Sequence, residues 1–182
     1  MKSLLKKGGV VSFPAFAKER AYMVPFVKGK NLPDKYSRWQ STVDAMLEAV
    51  DVAGVVYLTI DRGKVRQGET QRRKGAHIDG LYTVKGWSTG PQWNIKHGAG
   101  GGIVLASDHI GCKAFLGELA GDIGEGGDCS SMDLSSAKTC LLMPHQIYIG
   151  NSSLVHKSIP AAKTQNRTFV RLTLPESFAF AA

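Results

Sequence analysis

The stretch Arg167-Thr168-Phe169-Val170-Arg171-Leu172-Thr173-Leu174 decides how the chain is read. Its residues are β-branched, aromatic or leucine between two arginines, the composition of a strand. Side chains alternate across a strand, so Arg167, Phe169 and Arg171 share one face and Thr168, Val170 and Leu172 the other. Two guanidinium groups turned into a small β domain are costly unless anions meet them. A dicarboxylate suits such a pair, because arginine grips a carboxylate through two parallel N–H donors.

Working outward, similar short runs recur. Leu154 to Ser158, Gln146 to Ile149 and Thr139 to Met143 precede that strand. Further back lie Lys113 to Leu119, Gly102 to Ser107, Gln92 to Lys96, Ala76 to Thr83, Lys64 to Thr70 and Gly54 to Ile60. Gly, Asp or Pro separates most of them, and Asp61-Arg62-Gly63 reads as a turn. Regular short strands with turn signals predict an all-β sandwich or barrel. A jelly roll of about eight strands is the natural candidate. The 21 glycines agree with many turns.

Pro33 to Val50 differs. Tyr36, Trp39, Val43, Met46, Leu47 and Val50 recur at three- and four-residue steps, which predicts a helix with one apolar face. Such a helix packs on the outside of a sheet. The predicted fold is therefore mainly β, a double-stranded β-helix (jelly roll) with a supporting N-terminal helix. The chain reads as a single domain over 1–182, with residues 1–53 as N-terminal support and 54–175 as the core. Val10 to Ala17 reads as a first strand rather than the apolar part of a secretion signal, because Pro14 and the preceding glycines interrupt it. Ala120 to Ser136 carries four glycines, four acidic residues and four serines, and reads as a long loop of the lid or binding type. Gly98 to Gly102 lacks the ending of a phosphate-binding loop and reads as a turn.

Composition narrows the class. Of 182 residues, 43% are hydrophobic and 21% charged, which suits a globular protein and argues against disorder. No apolar run reaches the roughly 18–20 residues of a membrane span. Cys112, Cys129 and Cys140 are odd in number and form no CxxC pair, so free thiols and a reducing, cytoplasmic setting are expected. The net charge of +8 lies entirely before residue 77: residues 1–76 hold 15 Lys and Arg against 7 Asp and Glu, and residues 77–182 hold 8 against 8. Arg62, Lys64, Arg66, Arg72, Arg73 and Lys74 concentrate that charge. They read either as a site for phosphates or another polyanion, or as a solvated surface.

The chemistry-bearing residues begin with His77-Ile78-Asp79. In a strand, His77 and Asp79 point one way and Ile78 the other, so an imidazole and a carboxylate share a face. That pair alone is common by chance. His156 lies 77 residues after Asp79 in a second strand-like segment, and Arg167 and Arg171 follow it by 11 and 15 residues. Two histidines and one carboxylate with open positions beside them suit Fe(II). His97, His109 and His145 read as structural, and nothing marks Cys140 with His145 as a nucleophile pair.

The order His77-x-Asp79, then His156, then Arg167 resembles the Fe(II)/2-oxoglutarate-dependent oxygenase superfamily, over about Val55 to Pro175. The resemblance implies Fe(II) on His77, Asp79 and His156. It implies 2-oxoglutarate held through its distal carboxylate by Arg167. Arg171 either lies near the substrate or takes the co-substrate role from Arg167. The implied reaction couples decarboxylation of 2-oxoglutarate to oxidation of a second substrate by dioxygen, most simply hydroxylation; halogenases of the superfamily usually lack the carboxylate that Asp79 supplies. Tyr82, Trp87, Trp93 and Asn94 would border the substrate pocket. The substrate is unidentified, with a nucleic acid or nucleotide suggested by the basic run. Two other classes remain: a cupin-type metal-binding jelly roll that does not use 2-oxoglutarate, and a non-catalytic jelly-roll module.

Overall fold

A computed structural model describes residues 1–79 and 101–181, together with the backbone of Leu81–Tyr82 and Trp93–Asn94. The elements in chain order are β1 (Lys2–Ser3), β2 (Leu5–Val10), β3 (Glu19–Val27), a 3-10 turn (Asp34–Trp39) running into α1 (Gln40–Leu47), and β4 (Val55–Val65). Then follow β5 (Leu81–Tyr82), β6 (Trp93–Asn94), β7 (Gly102–Ser107), β8 (Cys112–Glu118), β9 (Lys138–Leu141), β10 (Gln146–Asn151), β11 (Val155–Ser158) and β12 (Gln165–Leu174).

Two antiparallel sheets form the body. The larger runs β2-β10-β7-β12-β4-β3. The smaller is built on β8, flanked by β9 and β11, and the segment around His77 bridges onto β11. The pairing is nested: β4 pairs with β12, the His77 segment with β11, β7 with β10, and β8 with β9. The first strand of the core thus pairs with the last, the second with the second-last, and so inward. A ribbon folded back on itself and coiled across two sheets is a double-stranded β-helix, or jelly roll.

Burial follows the alternation. On β12, Val170, Leu172 and Leu174 face outward into a core beneath α1, with Val56, Leu58 and Ile60 of β4 and Trp39, Val43, Met46 and Leu47 of the helix. Phe169 faces the other way, between the sheets, with Ile103, Leu105, Ala114 and Tyr148. A third cluster lies behind the small sheet, where Ile78 and Val155 meet Phe115, Leu119, Cys129 and Met132.

The structure corrects several sequence expectations. Asp61-Arg62-Gly63 is no turn, because β4 runs straight through it, hydrogen-bonded to β12 along one side and β3 along the other. Turn propensity is a local preference, and two flanking ladders override it. The first strands are β1 and β2, and Val11 to Lys18 is irregular. β3 was not expected at all. Its alternation is broken by a bulge at Met23 (φ +53) and by Pro25, both tolerated because β3 is an edge strand. The helix splits into a 3-10 turn and two turns of α-helix. The 120–136 segment is no open lid. Its 3-10 turn (Glu125–Gly127) and buried Cys129 and Met132 pack against the His77 segment. The expected strand at Gln92 to Lys96 retains only β6 among described residues; Trp87, His97, Gly98 to Gly100 and the side chains of Tyr82, Trp93 and Asn94 lie outside them. Among the described residues no helix is long and apolar enough to cross a membrane.

Candidate metal centre

Ala76 to Asp79 is held on both edges. His77 N–H donates to the His156 carbonyl and His156 N–H to the His77 carbonyl, each at 2.9 Å. On the other edge Ile78 N–H donates to Gly127 O and Cys129 N–H to Ala76 O, also at 2.9 Å. Gly127 has φ +74, and a Cβ there would lie 2.4 Å from Ile78 O, so this edge can close only on a glycine. Ile78 is fully buried behind the sheet, which turns His77 and Asp79 together to the inner face.

His77, Asp79 and His156 converge there, with one donor atom of each within 4.8 Å of the others. All three are buried or nearly so. His77 Nδ1 lies 2.7 Å from the Gly75 carbonyl, and His156 Nδ1 lies 3.1 Å from the Leu154 carbonyl. A carbonyl only accepts, so both Nδ1 atoms carry a proton and both Nε2 atoms are left facing Asp79. His156 Nε2 stands 3.3 Å from Asp79 Oδ2, and His77 Nε2 4.0 Å from Oδ1. Electron pairs crowded this closely in a buried place call for a cation or a proton between them. The donor set, two imidazoles and one carboxylate, fits Fe(II) and related divalent metals. The backbone carbonyls behind each ring supply the orienting contacts that metal-bound histidines use.

Arg171 completes the group. Its Nη1 lies 2.6 Å from Asp79 Oδ2, with both side chains buried. Burial by itself would raise the Asp79 carboxyl, but Arg171 and the two imidazoles hold it well below the ordinary value. Burial, and then the neighbouring His156, lower His77 to about 4, so the ring is neutral at neutral pH.

The triad forms one wall of a cleft of about 450 Å³, open mouth included, also lined by Arg72, Arg73, Gly111, Cys112, Ser158, Arg167 and Phe169. Arg167 is 2% exposed; its Nε donates to Ser107 Oγ at 3.2 Å, and its guanidinium lies flat against Gly111. A Cβ on residue 111 would fall 1.9 Å from Arg167 Cζ. Burial pushes the Cys112 thiol up to about 12, so it lines the cleft as a neutral group.

The two arginines therefore part company: Arg167 faces the cleft, whereas Arg171 is engaged with Asp79 beside it. The basic run is also divided. Arg62 is buried away from the cleft, donating to Thr168 Oγ1 and to the carbonyls of Pro14 and Ala15. His109 pairs with its neighbour Asp108 at 2.8 Å, and His145 sits against Val11 O, both apart from the triad. Cys112, Cys129 and Cys140 are free. Ser107, Gly111 and Ser158 were not singled out in the sequence, and Cys112 was read there only as a free thiol. Only Ser158 carried a signal, two residues beyond His156 and hence on its face.

No protein-family model matches the chain, and no curated protein does. Among solved structures it is similar to EvdO2 from Micromonospora carbonacea var. aurantiaca, at 16% identity over 88% of this chain and 69% of that one, with a TM-score of 0.44. EvdO2 complexed with 2-oxoglutarate gives 14% identity over 95% of this chain and 78% of that one, with a TM-score of 0.43.

Proposed function

We propose that the chain is an Fe(II)- and 2-oxoglutarate-dependent oxygenase that hydroxylates a second substrate in the cleft. The observation that carries this reading is the convergence of His77, Asp79 and His156 in one cleft with the Arg167 guanidinium. His77 Nε2, Asp79 and His156 Nε2 would hold the metal. Arg167, buried and anchored by Ser107, would take the distal carboxylate of 2-oxoglutarate. Its place in the cleft supports it over Arg171, whose Nη1 is committed to Asp79.

When bound, iron supplies the oxidative chemistry, in which dioxygen reacts as the 2-oxo acid loses carbon dioxide. The protein's part is positioning and exclusion of water. The Nδ1 bonds to Gly75 and Leu154 carbonyls keep both rings in the ligating tautomer. Arg171 keeps Asp79 ionised before any metal arrives. Phe169 and the Cys112 thiol give the cleft wall an apolar stretch between Arg167 and the triad's polar face.

The test is anaerobic addition of Fe(II) and 2-oxoglutarate while recording the visible spectrum. A charge-transfer band that disappears in His77→Ala and in Asp79→Ala is expected, with succinate released once oxygen enters. Metal binding with no band and no succinate would leave a cupin-type site that does not use 2-oxoglutarate. No metal binding at all would leave a non-catalytic jelly roll.

A further inference from the structure

We infer that the mouth of the cleft is an anion subsite, formed by Arg72 and Arg73, that selects a small substrate bearing a carboxylate or phosphate; this rests on the oxygenase reading. Both residues lie on the chain between β4 and His77 and line the same cleft as the triad. Neither is a loose surface arginine. Arg72 Nη1 lies 3.5 Å from Asp61 Oδ2, and its guanidinium sits 5.5 Å above the Phe169 ring. Arg73 donates through Nη1 to Gly126 O at 2.7 Å and through Nη2 to Asp128 Oδ1 at 3.3 Å. Asp128 is itself fastened by Ser130 Oγ at 2.5 Å. Each guanidinium is thus gripped from behind while its side chain keeps 31% or 37% of its exposure. A fork with five donors, held by one or two of them, keeps others for a ligand at little cost in ordering.

Among the described residues the charges around the cleft do not cancel. Arg171 neutralises Asp79 and Asp128 neutralises Arg73, but Asp61 is shared between Arg72 and Arg20. Arg167 adds another positive charge, offset in part by Asp108. Fe(II) with dianionic 2-oxoglutarate brings no net charge, so the loaded cleft keeps a positive excess. In a cleft with low-dielectric walls that excess favours an anionic substrate and repels a cationic one. Ser158, 8% exposed in the same lining, offers a hydroxyl beside the two arginines.

The layout of the basic residues favours a small molecule over a nucleic-acid strand. A polymer would need a continuous basic track, and the fold breaks up the one suggested by the sequence. Arg62 is buried under Phe16 and Trp39, and Arg66 pairs with Glu69.

The probes are phenyl phosphate and benzoate, each against neutral benzyl alcohol, titrated calorimetrically into the anaerobic Fe(II)–2-oxoglutarate complex at low ionic strength. At least one anion should bind about tenfold more tightly than the neutral probe, the factor that roughly 1.4 kcal/mol from one charge-assisted hydrogen bond gives. Which anion wins tells phosphate from carboxylate. The preference should vanish in Arg72→Gln/Arg73→Gln and shrink in Arg73→Gln alone, while both variants keep the charge-transfer band. Equal or absent binding of all three probes, or a preference that survives the double substitution, overturns the subsite. If the band is present in that outcome, the oxygenase reading stands without it; a protein that forms no band loses both.

Discussion

His77 and His156 exchange both of their backbone hydrogen bonds, each at 2.9 Å, so the two imidazoles rise from directly opposed positions of one ladder. Their ring centroids are 4.5 Å apart. The separation of the two candidate metal ligands is therefore set by strand pairing rather than by flexible side chains. A site held this way is organised before its metal arrives, which lowers the ordering cost of binding.

Metal binding should require all three residues. Fe(II) or Zn(II) at a hundredfold excess over its dissociation constant should stabilise the protein by roughly 2.7 kcal/mol, seen as a rise in Tm. Asp79→Asn and His156→Ala should each abolish most of that rise. An undiminished shift in either variant would place the metal elsewhere.

Arg171→Leu should be among the most destabilising substitutions in the chain. It strands the buried Asp79 carboxylate, at a cost of about 3–5 kcal/mol in denaturant unfolding of the metal-free protein. Adding Asp79→Asn should recover a large part of that loss, because the buried charge is then gone. Additive losses in the double variant would contradict the coupling seen at 2.6 Å.

Gly111→Ala tests the floor of the cleft. The new methyl group would fall on the Arg167 guanidinium, and the side chain must shift to admit it. Overpacking of this kind costs about 1–3 kcal/mol. 2-Oxoglutarate affinity should fall in Gly111→Ala and in Arg167→Ala. If Arg171→Ala alone weakened it, the roles of the two arginines would be reversed.

The metal-free protein should lose stability on mild acidification. His77 stands at about 4 in the fold against an ordinary 6.5. Between those values the unfolded chain binds a proton that the folded one refuses. The stabilisation is thus complete above about 6.5 and is lost as pH falls toward 4, by roughly 3 kcal/mol in all. Asp79, held well below its ordinary 3.8, adds its own loss only below that value. Urea midpoints measured from pH 7 to 4 should fall steadily, and His77→Gln should flatten the curve.

Much of the fold was legible because its period is local. Alternation across Arg167–Leu174 put Arg167, Phe169 and Arg171 on one face, and the inner core and cleft contain that face. The three- and four-residue steps from Tyr36 to Val50 marked the apolar face that covers the large sheet. Glycine and proline punctuation located β7 to β12 to within about two residues. Where local preference met a stronger tertiary contact, the reading failed. Asp61-Arg62-Gly63 looks like a turn until two ladders and the buried bonds of Arg62 hold it extended. β3 looks irregular because a bulged edge strand loses its alternation at Met23.

By itself the sequence determined the residue types and the shared faces: two imidazoles, a carboxylate and two guanidinium groups, with His77 and Asp79 on one face of a strand and Arg167 and Arg171 on one face of another. Alternation is a property of the backbone and needs no partner strand to be known. Only the tertiary structure decided which of those groups meet. Strand order and register bring His77 opposite His156 across a gap of 79 residues in the chain. They also spend Arg171 on Asp79 and leave Arg167 to the cleft, a division that identical residue types and a four-residue spacing could not reveal. Gly111 belongs to the same class, because the need for a missing side chain exists only where another strand's arginine lies against it.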